Sequence, residues 1–432
     1  MALLTVAAVA VAVGLIALRA GDSTADQTQA TTAVDTTSTV PRPVPSSSFT
    51  QAPTTVPETT TAVPETTTTT EPPPVRGTEL FVSPDGVDHP DAGWTIDDPL
   101  QTPDFAVSVS LEGDTINLLP GIYGPMTISE RSDLTVTAPF GDATLTSGSY
   151  DLYAGVLVEN STRIVIDGLR TEHLLWGLRV FNSSDVILRN NEVVDTGQEA
   201  IHVLHRSENV LIEGNRVDGT GRRPGGNGEF QFADFGEGIY LGTGGYLDNR
   251  EVDDVSNVVI SGNTVANTTA EAIEVKASVF DVVITGNTIH DVDVHSGAAI
   301  SIGRGERIYD ANVLVEQNTI WNVTVRNPWA DGIGVRVSSP STVRNNIIFG
   351  VEHFGIRVDD ELRALDGEVV LDGNLIFDSG LEAFRDESSA TGVPVTELGT
   401  ISGQEAQSLL AELGQDPASL DVASLLEHLQ SL

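Results

Sequence analysis

A short asparagine-centred line returns along the chain: RNNEV (189–193), EGNRV (213–217), SGNTV (261–265), TGNTI (285–289), EQNTI (316–320), RNNII (344–348) and DGNLI (372–376). The shared residues are Asn191, Asn215, Asn263, Asn287, Asn318, Asn346 and Asn374, spaced 24, 48, 24, 31, 28 and 28 apart. A chain that repeats at this interval is built from one stackable unit, each covering the core of the next. Between these lines runs a second one: WGLRV (176–180), EAIHV (199–203), EGIYL (237–241), EAIEV (271–275), AAISI (298–302), DGIGV (331–335) and FGIRV (354–358), with AGVLV (154–158) as a first member. It reads small–apolar–variable–apolar, a short strand with inward Ile or Val and an outward residue between them. Apolar runs such as NVVI (257–260) and DVVI (281–284) lead into the asparagines and supply a second strand. One period therefore holds at least two short strands joined by turns. Helical repeats are disfavoured, because the segments are short, β-branched and broken by Gly and Asn. The expected fold is all-β, a solenoid of stacked parallel sheets. Asparagines aligned at one corner can hydrogen-bond along such a stack, so their recurrence needs no binding site.

Over about residues 78–380 this pattern resembles the right-handed parallel β-helix of the pectin-lyase-like superfamily. The resemblance implies an N-terminal strand and a short amphipathic helix that cap the first coil. TPDFAVSVS (102–110) matches that helix, and GDTINLLPGIYG (113–124) leads into the coil. Capping is a physical need, since an open coil end exposes core and unpaired strands. After Gly380 the periodicity stops. Residues 403–432 read as two short helices with leucines at helical spacing, broken by DPAS (416–419), and are expected to form a C-terminal cap or docking element.

Ahead of the repeats, ALLTVAAVAVAVGLIAL (2–18) ends at Arg19, between the length of a secretory h-region and that of a spanning helix. Residues 1–19 are expected to be a signal or membrane anchor that exports the rest of the chain. Residues 20–76 are Thr/Pro/Ser repeats, a composition that cannot bury enough apolar surface to offset chain entropy. They are expected to be a disordered stalk. The expected domains are thus 1–19, the stalk 20–76, the β-helix 77–380 and the helical tail 381–432, in an extracellular or surface-anchored monomer. There is no cysteine, so a large core must stabilise the domain instead of disulfides. The net charge is −40; residues 1–76 hold three basic and six acidic residues, so −37 of it lies beyond them. Such a balance argues against nucleic acid or anionic lipid as a partner and suits bound divalent cations.

Of the 22 basic residues only one is lysine, Lys276, in EAIEVKAS (271–278). Arginine stays protonated, whereas a lysine can be tuned to act as a base. Aligning the second lines gives three outward rows. The first holds Arg179, His202, Tyr240, Glu274, Ser301, Gly334 and Arg357. The second holds Phe181, Leu204, Gly242, Lys276, Gly303, Arg336 and Asp359, leaving glycine on both sides of the lysine. The third holds Trp176, Glu199, Glu237, Glu271, Ala298, Asp331 and Phe354. The middle of this face is charged, with His205 and Arg304 nearby and aromatics at its ends, as a sugar-binding cleft would be. The plain alternative is a solvated sheet face with charges paired across strands. Insertions at 218–235 and 243–257 flank EGIYL and are expected to wall the groove.

AEAIEVKAS (270–278) is similar to the segment of chondroitinase B-type and alginate lyases in which acidic residues precede a catalytic lysine. The resemblance implies β-elimination on a uronic-acid-containing polysaccharide, with Lys276 as base and Ca2+ on Glu271, joined by Glu237 and Glu274. Tyr240 or His202 is then the proton donor and Arg304 the counter-charge, with Glu237, Asp331, Arg336, His205 and Trp176 contacting the sugar. Thr269 replaces the second upstream acid, and Arg304 lies two positions out of register. A metal is almost required, since two carboxylates beside Lys276 would spoil it as a base. Two other readings remain: glycoside hydrolysis by a carboxylate pair from Glu237, Glu271 and Asp331, and a non-catalytic, stalk-borne glycan-binding solenoid.

Overall fold

The computed structural model describes residues 78–402 apart from 152, 224–235, 244–252, 277, 296, 305–311, 327–330, 360–366 and 391–392, together with Gln404 and Ser408. The expected signal or anchor, the stalk, most of the groove-walling insertions and nearly all of the C-terminal helical element lie outside the described residues. Among the described residues no helix is long and apolar enough to cross a membrane.

Each coil contributes three strands, one more than the repeat revealed. They stack into three parallel sheets of twelve, ten and eleven strands, with sequential coils as hydrogen-bonded neighbours throughout. The coil carrying Lys276 is representative: Ile273–Lys276 in the ten-stranded sheet, Val279–Thr285 in the twelve-stranded sheet and Thr288–Val294 in the eleven-stranded sheet. Inward Val, Ile and Leu from all three sheets form one continuous buried core. Every coil end must be covered, and at the N-terminal end the helix Pro103–Val109 does so with Pro103, Ala106 and Val107 buried. Thr102 caps it by accepting from the Phe105 amide at 3.3 Å, with proline in the first turn, where its missing donor costs nothing. The coils continue past Gly380, where the sequence periodicity fades. Glu382–Asp386, Val395–Leu398 and Ile401–Ser402 add a further coil before the described residues end.

Register is set at two corners. At the first, the seven asparagines form a buried ladder with Nδ2···Oδ1 distances of 2.9–3.0 Å. Asn287 shows the pattern: its Oδ1 accepts both the Asn263 amide and Asn263 Nδ2, while its Nδ2 donates to Asn318 Oδ1 and to the Ile260 carbonyl. The residue before each ladder asparagine has φ between 53 and 64° (Asn190, Gly214, Gly262, Gly286, Gln317, Asn345, Gly373), which accounts for the Gly and Asn that precede it.

The second corner explains the small residue in the other line. Ala200 and Ile201, Ala272 and Ile273, and Ala299 and Ile300 are consecutive core residues, so alternation breaks there. The small residue must be small: a Cβ on Gly238 would lie 2.5 Å from the Ala272 carbonyl oxygen, and one on Gly334 2.6 Å from that of Gly355. This inward pair turns the preceding residue, such as Glu199, Glu237 or Glu271, onto the outer side of the ten-stranded sheet.

Asn287→Ala should cost about 2–3 kcal/mol in denaturant unfolding, because it orphans buried donors and an acceptor on two coils. Thr288→Ala, one residue along on the partly exposed side, should stay within about 0.5 kcal/mol. Equal losses would mean that the ladder does not hold the stack.

Candidate active site

The outer face of the ten-stranded sheet gathers most of the residues singled out in sequence, with one coil re-registered. Arg179 pairs with His202, His202 with Tyr240, Tyr240 with Glu274 and Glu274 with Ser301, as expected. Ser301 then pairs with Arg336, and Arg336 with Arg357, so Arg336 takes the place expected for Gly334. DGIGV offers two glycines, each followed by an apolar residue, and the fold uses Gly334 rather than Gly332 at the inward corner. The two-residue shift keeps every side chain on its face but removes Asp331 from the acidic row. Its place falls to Ile333, which packs with Ala298 and Phe354 in a small apolar cluster apart from the main core. Asp331 instead pairs with Arg357 and lies 3.5 Å from His353 Nδ1. It cannot complete a carboxylate pair with Glu271.

A second shift, between Val275 and Lys276, sets Lys276 opposite Arg304 and not Gly303. The arginine that looked out of register in sequence is brought alongside the lysine by this irregularity. Gly242 stays beside Lys276, where a Cβ would lie 3.1 Å from the lysine Cβ.

At the centre, Glu237, Glu271 and Glu274 are all buried, and each offers a carboxylate oxygen within 4.8 Å of the others. Glu274 accepts a hydrogen bond from Lys276 Nζ at 2.5 Å. The ammonium lies 5.3 Å from the Tyr240 ring centroid, with the lysine side chain 15 % exposed. Among the described residues, Glu237 Oε2 and Glu274 Oε2 are buried without a hydrogen-bond partner. The Glu237 carboxyl is held well above the usual carboxylate range, by burial first and then by the charges of Glu199, Glu274 and Glu271. One ammonium cannot balance three buried carboxylates, so a proton on Glu237 or a divalent cation must supply the rest. Three hard oxygen donors at this spacing fit a cation such as Ca2+.

His202, buried beside Tyr240 at 4.6 Å between ring centroids, bonds the Gly242 carbonyl through Nε2 at 2.9 Å. A carbonyl only accepts, so Nε2 carries the proton and Nδ1 keeps its lone pair, without a partner among the described residues. Burial, with Arg179 adding to it, pushes this histidine down to about 3, so it is neutral and its donor is committed. Arg336 is also committed, to Asp359, with Nε–Oδ2 at 2.6 Å. His205 stacks on Phe181 at 4.5 Å while its backbone amide bonds Asp253.

Two residues of the aligned rows stand out in the structure though their sequence context gave them no role. Buried Glu199 accepts from Trp176 Nε1 at 2.7 Å and is pushed up to about 6, chiefly by burial. Arg179 lies 4.3 Å from the Trp176 ring centroid. The usable signal was the run of three acids on successive coils, Glu199, Glu237 and Glu271, rather than the lone lysine.

Two family descriptions match the sequence: a right-handed beta helix region over residues 246–397, and the periplasmic copper-binding protein NosD over residues 110–315. No curated protein matches. Among solved structures, an alginate lyase from Paenibacillus sp. is 17% identical with a TM-score of 0.55, covering 65% of this chain and 94% of its own. An endo-xylogalacturonan hydrolase from Aspergillus tubingensis is 13% identical (TM-score 0.49, 76% of this chain, 94% of its own). The surface adhesin PfbA of Streptococcus pneumoniae is 14% identical (TM-score 0.48, 69% and 86%). The chain is a right-handed parallel β-helix, sharing at low sequence identity the fold of pectin-lyase-like, NosD and alginate-lyase-like proteins.

The raised carboxyls set a pH dependence. In the fold Glu199 and Glu237 hold protons that the unfolded chain releases above about 4.5, so stability falls as pH rises. The loss begins near 4.5, passes through about 6 for Glu199 and continues well above 4.5 for Glu237. In chelator, the melting temperature should fall over this window, and Glu237→Gln should flatten the fall and melt higher than the parent protein at pH 8. A parent profile with no decline would contradict these protonation states.

Proposed function

We propose that this protein is an extracytoplasmic, carbohydrate-active β-helix enzyme that hydrolyses a uronic-acid-containing polysaccharide with Glu237 and Glu271. The single observation behind this reading is the carboxyl cluster, in which burial and neighbouring carboxylates hold Glu237 well above the usual range while Lys276 balances Glu274. Glycoside hydrolysis needs two carboxyls, one as acid and one as anion, and this reading gives Glu237 the first role and Glu271 the second. One oxygen of each lies within 4.8 Å of the other, compatible with the roughly 5–5.5 Å carboxyl separation used by retaining enzymes. Glu237 gives its proton to the leaving oxygen as the Glu271 carboxylate bonds to the anomeric carbon. Water then cleaves that glycosyl ester, with Glu237 now acting as base. The Lys276–Glu274 pair holds the charge around the two reacting groups fixed. The apolar run at 2–18 and the Thr/Pro-rich stretch after it support a place outside the cytoplasm.

One observation favours a second reading, β-elimination: Arg304 is in register with Lys276. Ca2+ held by Glu237, Glu271 and Glu274 would offset the uronate carboxylate. Lys276, freed from Glu274, would take the C5 proton, and Tyr240 would protonate the departing oxygen. The two readings differ in product and in metal need.

Incubated with alginate, polygalacturonate and glycosaminoglycans, the protein should release reducing ends without the ultraviolet absorbance of unsaturated ends, and chelator should not slow it. Glu237→Gln and Glu271→Gln should each lower the rate about a thousandfold, and Lys276→Arg should remain active. Unsaturated products lost with chelator and with Lys276→Arg would replace hydrolysis by elimination. Retention on a glycan column without any product would make the protein a binder.

A further inference from the structure

Arg179 departs from the behaviour of the other arginines in its row. Arg336 and Arg357 each meet a carboxylate, Asp359 and Asp331 respectively. Arg179 forms no ion pair or hydrogen bond among the described residues: its Nε is buried with no partner, and its guanidinium lies over the Trp176 ring. The carboxylate that acts on it electrostatically, Glu199, gives its Oε2 to the Trp176 indole instead. Burial holds the arginine below its ordinary range, the cost of a desolvated charge left unmatched. In a chain with 62 acidic residues, a cation without a carboxylate partner is not explained by scarcity of partners. The Trp176 ring beneath it is held by its bond to Glu199, and Phe181, stacked on His205, lies two residues further along the same strand and on the same side.

We propose that Arg179, seated on Trp176, is an anion-reading subsite that takes the carboxylate of a uronic acid unit further along the glycan from the one being cleaved. The guanidinium fork matches a carboxylate with two parallel hydrogen bonds, and the Phe181–His205 pair offers an apolar platform for a sugar ring. Arg179 stands two coils from Glu237, roughly 10 Å along the stack. A polysaccharide laid across the strands would thus present a unit beyond the adjacent one to Arg179 while the cleaved bond rests on the carboxyl cluster. The subsite rests on the hydrolase reading for its place beside a scissile bond, but its affinity for a uronate does not require turnover.

The test is calorimetric binding of alginate and polygalacturonate oligosaccharides, and of their carboxyl-reduced counterparts, to the parent protein, Arg179→Gln and Arg179→Lys, with turnover measured alongside. Arg179→Gln should keep the parent circular dichroism and weaken acidic oligosaccharides at least tenfold while leaving reduced ones unchanged. Arg179→Lys should recover part of the loss, and added NaCl should weaken the parent more than Arg179→Gln. Unchanged acidic binding in Arg179→Gln, equal loss for acidic and reduced sugars, or no acidic binding by the parent would each overturn the subsite. A charge-selective binding loss without parent turnover would uphold the subsite and sink the hydrolase reading. Hydrolytic turnover by the parent together with unchanged acidic binding in Arg179→Gln would do the reverse.

Discussion

The hydrogen bonds between successive coils at the asparagine corner fix the rest of the architecture. Each ladder asparagine is satisfied only if its coil sits in one register on the next, since its Oδ1 and Nδ2 bond residues of neighbouring coils. A slip would leave buried donors and acceptors unpaired. With register fixed, residues far apart in sequence become neighbours on one face, and the small residue at the opposite corner decides which side chains reach that face.

The face itself is graded. Along the outer row before the central apolar residue, Trp176 gives way to Glu199, Glu237 and Glu271, and then to the apolar cluster of Ala298, Ile333 and Phe354. The acids are confined to three consecutive coils and flanked by an aromatic on one side and apolar packing on the other. Confinement is what makes their charges costly, and the response is chemical: Glu237 and Glu199 carboxyls held above the usual range and an ion pair at Glu274. A polar, solvated row of the same residues would have no such need.

Much of this was legible in sequence because the chain repeats. The recurring asparagines gave the corner, and the small–apolar pattern gave the outward rows, as Arg179, His202, Tyr240, Glu274 and Ser301 bear out. The third strand per coil was not visible as a separate unit, since stretches such as TIHDVDV start inside the asparagine line, at Thr288 and Ile289. Asp331 was misplaced because Gly332 and Gly334 both satisfy the local pattern, and only the approach of the Gly355 carbonyl chooses between them. The pairing of Lys276 with Arg304 depends on a local irregularity that no spacing encodes. Arg179 was seen but not chosen, because its significance lies in a missing partner, which a sequence cannot display.

The division of the cluster into one acid and one anion turns on the charge state of Glu237. Infrared difference spectroscopy between the parent protein and Glu237→Gln in metal-free neutral buffer reads it directly, through the carbonyl band of a protonated carboxylic acid. A buried, protonated Glu237 predicts that band in the parent and its loss in the variant. A spectrum in which Glu237→Gln removes only the signature of an ionised carboxylate would contradict it, and with it the assignment of Glu237 as the proton donor.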